Sequence, residues 1–82
     1  MNRKEIIERL TPIVRTIFQD GTLELREDMS AENVSTWTSL AFMQLLTKIE
    51  EEFGIRFKML ELVKLRTMGD IIQSLENHLA NA

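Results

Sequence analysis

Cysteine is missing from all 82 residues, which removes disulfide staples, thiolate nucleophiles and thiolate metal sites from consideration. Histidine occurs once, at position 78, and no convergent pair of carboxylates stands out, so general acid–base and metal chemistry have little to work with. No run approaches the roughly 18 apolar residues that a membrane span requires. The first five residues, Met1 to Glu5, lack the apolar stretch of a signal peptide, and a cytoplasmic setting is expected. Neither the alternating pattern of a strand nor an internal repeat is visible. Large aromatic residues are few, four Phe and one Trp, so five Met share the packing, and their unbranched thioether chains fill irregular spaces.

What is present points to one soluble helical domain. Eighty-two residues cannot support two independent cores, and the mix of 44% hydrophobic and 28% charged residues is that of a folding chain rather than a disordered one. The net charge of -3 hides a strong asymmetry. Between Asp20 and Glu52 eight acids face only Arg26 and Lys48, whereas both flanking segments are net basic. An acidic middle argues against nucleic acid, whose phosphates need a basic surface. It favours protein partners with basic docking surfaces.

Four helices are expected, over about 3–18, 39–53, 59–65 and 68–79. In the first, Ile6, Ile7, Leu10, Ile13, Val14, Ile17 and Phe18 recur at spacings of three and four, and Asn2 with Glu5 forms a capping-box start. Pro12 removes one backbone donor, yet the stripe stays in phase across it, so one helix kinked near Thr11 is favoured over a split at that point. Asp20-Gly21 is expected to end it, glycine taking the left-handed conformation. A long connection follows, over 21–37, with Leu23, Leu25, Met29 and Val34 as its anchors to the core. The second helix carries an inward stripe of Phe42, Leu45, Leu46, Ile49 and Phe53 and stops at Gly54. Leu62 and Leu65 share a face of a short third helix. Thr67 and Asp70 open the fourth, along which Met68, Ile71, Ile72, Leu75 and Leu79 recur. Residues 80–82 are expected to fray.

The junction Val34-Ser35-Thr36-Trp37-Thr38-Ser39-Leu40 sets a hydroxyl at the mouth of an amphipathic helix, where free N–H groups and the helix dipole favour an anion. Thr38 is a natural N-cap, and Trp37 and Phe42 occupy the two positions of a hydrophobic staple that would fix how the loop enters the helix and leave Ser39 facing solvent. Serine and threonine are common at helix starts for capping alone, so this junction does not by itself specify chemistry.

With the helix pattern around it, however, the chain resembles the carrier-protein family of fatty acid, polyketide and related pathways. Thr38-Ser39-Leu40 stands where that family has Asp-Ser-Leu, Glu50-Glu51-Glu52-Phe53-Gly54-Ile55 resembles the end of its second helix, and Thr67-Met68-Gly69-Asp70-Ile71 resembles the start of its last. The resemblance spans nearly the whole chain and implies an all-α, four-helix carrier-protein bundle with a long loop between helices 1 and 2 and a short helix 3. It implies a monomeric, non-catalytic carrier. Ser39 would be esterified by 4′-phosphopantetheine, delivered from coenzyme A by a phosphopantetheinyl transferase, and the distal thiol would hold the cargo as a thioester. A carrier takes its sulfur from the prosthetic group, in keeping with the absence of cysteine. Thr38 in place of the family's aspartate keeps the cap and removes a negative charge.

The resemblance also assigns docking to the exposed face of the second helix, with Thr38, Leu40, Met43, Gln44, Thr47, Glu50 and Glu51 as its candidates. Partners would include acyl-transferring or acyl-activating enzymes. Ala41 to Gln44 carry no acid, which points to dedicated partners rather than a general fatty-acid synthase set. Phe42, Leu46, Phe57, Leu62, Leu65 and Met68 are candidates for an acyl pocket between the second and third helices, although apolar stripes pack against one another by default. His78 is assigned no role, and no residue is assigned to a metal. The alternative function is an unmodified helical interaction module that uses its second helix only to bind.

Overall fold

The computed structural model describes residues 1–80, and the fraying expected at 81 and 82 lies outside the described residues. Four helices follow one another without an intervening strand: α1 Arg3–Ile17, α2 Ser39–Phe53, α3 Met59–Leu62 and α4 Met68–Ala80. α1 packs against both α2 and α4. The core between them is built from the inward stripes: Ile6, Leu10 and Val14 of α1, Leu45 and Ile49 of α2, and Ile71, Ile72 and Leu75 of α4 are all fully buried. Burial of these aliphatic faces is the main favourable term holding the helices together.

α1 begins with the expected capping box. The Asn2 side chain accepts from the Glu5 N–H at 2.8 Å, and Glu5 Oε1 accepts from the Asn2 N–H at 3.2 Å. The helix passes through Pro12 as one element. Pro12 is exposed, so the Glu8 carbonyl that loses its donor lies on the wet side, where water substitutes for the missing N–H.

The end of α1 differs from expectation. Gln19, not Gly21, takes the left-handed conformation, with φ 55°. The Gln19 N–H donates to the Thr16 carbonyl at 3.2 Å and the Asp20 N–H to the Arg15 carbonyl at 3.0 Å, which is the paired bonding of a Schellman cap. The sequence contains a glycine two residues beyond the site that needs one, and the helix stops where its apolar stripe ends at Phe18. α2 ends in a left-handed cap on the favoured residue: Gly54 has φ 65°, and the Gly54 and Ile55 N–H groups both reach the Glu50 carbonyl, at 3.0 and 3.2 Å.

The long connection from Phe18 to Thr38 is tied down along its length. Met29 is 2% exposed, and Leu23, Leu25 and Val34 are half-buried against the core. Two backbone bonds clamp it to the start of α4, Met68 N–H to the Met29 carbonyl and Gly69 N–H to the Glu27 carbonyl, both 2.9 Å. A Cβ at position 69 would stand 3.2 Å from the Glu27 carbonyl oxygen and Cβ, so glycine here permits the close approach. Arg3 adds a charged clasp, donating to both carboxylate oxygens of Glu27, at 2.6 and 3.3 Å, and to Glu76 of α4. Its hydrogen bond holds the Glu27 carboxyl below the usual range.

α3 is shorter than the expected 59–65, ending at Leu62. Beyond it the Lys64 and Leu65 N–H groups bond three residues back, to the Glu61 and Leu62 carbonyls, a tightened turn that drops Leu65 into the core. Leu65 is 7% exposed while Leu62 is 37% exposed, so the two do not share one buried face. α3 is held by its flanks and by Glu61. That carboxylate accepts from the Lys58 N–H at 3.0 Å and the Ser74 hydroxyl at 2.8 Å, and lies 2.8 Å from His78 Nε2. Desolvation pushes the Glu61 pKa up, but these hydrogen bonds outweigh it and hold the group below the ordinary carboxylate range.

The two helix ends give a paired prediction. Gln19→Gly relieves a left-handed non-glycine residue and raises stability by about 0.5–1 kcal/mol, whereas Gly54→Ala, which meets no atom but must hold φ 65°, lowers it by about 1 kcal/mol. Urea denaturation midpoints for the two variants should therefore move in opposite directions.

Candidate carrier site at the start of helix α2

Three aromatic rings set the position of the α2 N-terminus. Phe18, the buried C-cap residue of α1, stacks on Trp37 at 5.4 Å between centroids, and Trp37 stacks in turn on Phe42 at 6.0 Å. Trp37 precedes the cap and Phe42 lies four residues inside the helix, so the Trp37–Phe42 contact is the hydrophobic staple. Thr38 has extended backbone angles, and its hydroxyl accepts from the Ala41 N–H at 3.1 Å. That bond satisfies one of the free donors of the first turn.

Ser39 is the first helical residue and is exposed. Among the described residues its hydroxyl makes no hydrogen bond, and the N–H groups of Ser39 and Leu40 have no partner within the chain. No acid stands in the first turn of α2. A solvent-facing hydroxyl beside two unsatisfied N–H groups, at the positive end of a 15-residue helix, suits attachment of a phosphodiester. Its bulk would meet solvent rather than neighbouring side chains.

The docking candidates fall into two groups. Thr38, Leu40, Met43, Gln44, Thr47 and Glu51 are exposed, with Leu40 and Met43 each at 66%. Met43, Gln44, Thr47 and Glu51 line a shallow groove completed by Thr16, Ile17 and Gln19 from the end of α1 and by Lys48. Sequence spacing gave no hint of the α1 side of that groove. Glu50 is different: it is half-buried, and its Oε2 accepts from the Phe57 N–H at 2.9 Å. It fastens the 54–58 connection rather than standing free on the exposed face of α2.

The acyl-pocket candidates are not gathered into one lining. Leu46, Phe57 and Met68 are core residues at 9%, 9% and 0% exposure. Phe42 and Leu65 come together in a surface cleft with Trp37, Thr67 and loop residues 28 and 30–33. Leu62 lies on the outside, because a single helical turn with no buried residue cannot direct it inward. The Glu61–Ser74–His78 cluster, with the imidazole edge-on to Phe57 at 5.8 Å, was not anticipated. Residues 61 and 78 sit on different helices, and no local pattern links them. Among the described residues no group of His, Asp or Glu could hold a metal ion, and no helix is long and apolar enough to cross a membrane.

Residues 37–75 match the family model described as a phosphopantetheine attachment site. An acyl carrier protein of Thermosynechococcus vestitus is 32% identical over 81 residues, covering 98% of this chain and 99% of that protein. The chain belongs to the acyl carrier protein family. The solution structure of holo acyl carrier protein from Geobacter metallireducens superposes with a TM-score of 0.84 at 35% identity, covering 92% of this chain and 86% of that one. This carrier has the family's all-α fold. Like other acyl carrier proteins it is a non-catalytic carrier whose cofactor is covalent 4′-phosphopantetheine. The group supplies the thiol that carries cargo, and the protein presents it.

The cap is the local element on which the site's shape rests. Thr38→Ala leaves the Ala41 N–H without its acceptor and lowers stability by about 1 kcal/mol, while Thr38→Ser retains most of it. Trp37, packed beside the cap, reports the loss as a shift in its fluorescence-detected unfolding midpoint.

Proposed function

We propose that Ser39 is the attachment residue, and that the protein accepts 4′-phosphopantetheine there from coenzyme A and presents acyl or related thioesters to partner enzymes. The observation that carries the reading is the state of the Ser39 side chain: exposed, unbonded and at the mouth of α2. Of the other exposed hydroxyls nearby, Thr38 is committed to capping the Ala41 N–H, and Ser35 and Thr36 belong to the connecting loop and lack a helix N-terminus behind them. The chain's own contribution is to hold the Ser39 oxygen in solvent, to offer two N–H groups to the resulting phosphodiester anion, and to fix the helix direction through Thr38 and the Trp37–Phe42 staple.

Partner recognition is assigned to the face bearing Leu40, Met43, Gln44, Thr47 and Glu51. Two apolar side chains at 66% exposure near the start of a helix that becomes acidic only towards its end fit an enzyme surface with an apolar contact near the arm and cations farther along. The missing acid at position 38 makes the approach of a transferase slower rather than impossible, since a rim charge acts mainly on association rate. The protein is expected to act as a cytoplasmic monomer in fatty acid, polyketide or related biosynthesis.

Incubation with coenzyme A and a broad-specificity phosphopantetheinyl transferase, followed by intact-mass measurement, should show one added arm. Ser39→Ala should show none, and Thr38→Asp should be modified faster than the parent. No adduct on a folded parent with any transferase tried would favour an unmodified interaction module instead.

A further inference from the structure

The surface formed by α3 and its flanks is unlike the rest of this acidic protein. Met59, Leu60 and Val63 are 80%, 77% and 66% exposed. Met59 and Leu60 lie on the single turn of α3, which contains no buried residue, and Val63 is its C-cap, so the three protrude together as an apolar knob. Isolated exposed hydrophobes are unremarkable, but contiguous ones on a soluble protein mark an interaction surface.

Cations without a salt-bridge partner outnumber the acids in the segments flanking this turn, where Glu61 and Asp70 are the carboxylates. Arg56, Lys58, Lys64 and Arg66 are all exposed, and among the described residues none forms a salt bridge. The carboxylates that neighbour them keep their charge but are directed onto hydrogen-bond donors of the fold and not onto these four side chains. Glu61 is turned inward onto Ser74 and His78, Glu50 accepts the Phe57 N–H, and Asp70 accepts the Arg66 and Thr67 N–H groups at 3.0 Å to cap α4. Of the remaining acids at the end of α2, Glu51 lines the groove on the α1 side, and Glu52 is exposed.

We propose that α3 is a lipid-contact element, its apolar turn entering the boundary of an anionic bilayer while the four surrounding cations meet the headgroups. An apolar turn flanked on both sides by cations is complementary to such a surface in both hydrophobicity and charge. A convex knob of flexible Met and Leu side chains suits a fluid boundary that conforms to it, whereas a protein partner would have to supply a matching hollow. The long stems of Lys and Arg let their charges stay in the headgroup layer while the methylenes follow the apolar residues down. The acidic middle of the chain opposes approach only at long range, and at physiological ionic strength charges farther away than about 8 Å are largely screened. This contact does not depend on modification at Ser39.

The test is co-sedimentation of the full, unmodified chain with vesicles of phosphatidylcholine alone and of an equimolar phosphatidylcholine–phosphatidylglycerol mixture, at physiological ionic strength. The protein should pellet with the anionic vesicles and remain in solution with the neutral ones. Lys64→Ala should weaken partitioning about fivefold, the contribution of one cation near an anionic surface. Leu60→Asp should abolish it, and Leu40→Asp on the α2 face should leave it unchanged. Helical circular dichroism confirms that each variant is folded, and position 60, at 77% exposure, tolerates the change without touching the core. Absence of binding to anionic vesicles would overturn the proposal, as would a loss caused by Leu40→Asp and not by Leu60→Asp. Retention on polyglutamate-coated beads without vesicle binding would also overturn it and reassign the surface to an acidic protein.

Discussion

The stacking of Phe18 on Trp37 and of Trp37 on Phe42 is the contact on which the geometry of the site depends. Those rings join the end of α1, the last residues of the long loop and the first turn of α2. Their mutual packing decides the direction in which α2 leaves the loop. Aromatic pairs at this separation contribute about 0.5–1.5 kcal/mol beyond their buried area. More important here, they leave the loop one way to enter the helix. With Trp37 buried at 7% and Thr38 capping, Ser39 has no route inward. The exposed hydroxyl is therefore a consequence of core packing on either side of it.

The second organising feature is the way charge is distributed between fastening and display. Arg3 joins α1, the loop and α4 through Glu27 and Glu76, while Glu61 and Glu50 hold α3 and the segment before it. Each of these acids is committed to a named partner. The remaining charges are left to face outward, acidic along the loop and the end of α2, basic around α3. Exposed ion pairs contribute little to stability individually, and the inward turn of Glu61 matters mostly for what it removes from the surface. A carrier that must meet several partners in turn benefits from faces of different character, since complementary charge governs encounter rates and the rejection of wrong partners.

Much of this was legible in the residues. The i, i+3, i+4 stripes placed α1, α2 and α4 and their buried faces, because hydrophobic periodicity is a direct imprint of one-sided burial. Asn2 with Glu5, Thr38, and Thr67 with Asp70 marked three helix starts through local hydrogen bonding alone. The carrier family followed from the order of anchors around Ser39. What the sequence left open was set by contacts between distant residues. The end of α1 fell at Gln19 because the buried stripe ran out there, overriding the preference for Gly21. Leu62 turned outward because α3 is a single turn pinned by Glu61 to α4, a tie across 17 residues that no local pattern encodes. Glu50 looked like a free docking acid until the path of the 54–58 connection placed an unpaired N–H beside it.

The helix-mouth hydroxyl of Ser39, flanked by two N–H groups without internal partners, is the site proposed to receive the prosthetic arm. The most direct measurement compares amide ¹H–¹⁵N spectra of the protein before and after modification with coenzyme A. The largest shifts should fall on the Ser39 and Leu40 amides, with the α1 and α4 cores unchanged. Largest shifts centred on Ser35 or Ser74 instead, with Ser39 and Leu40 unmoved, would contradict it.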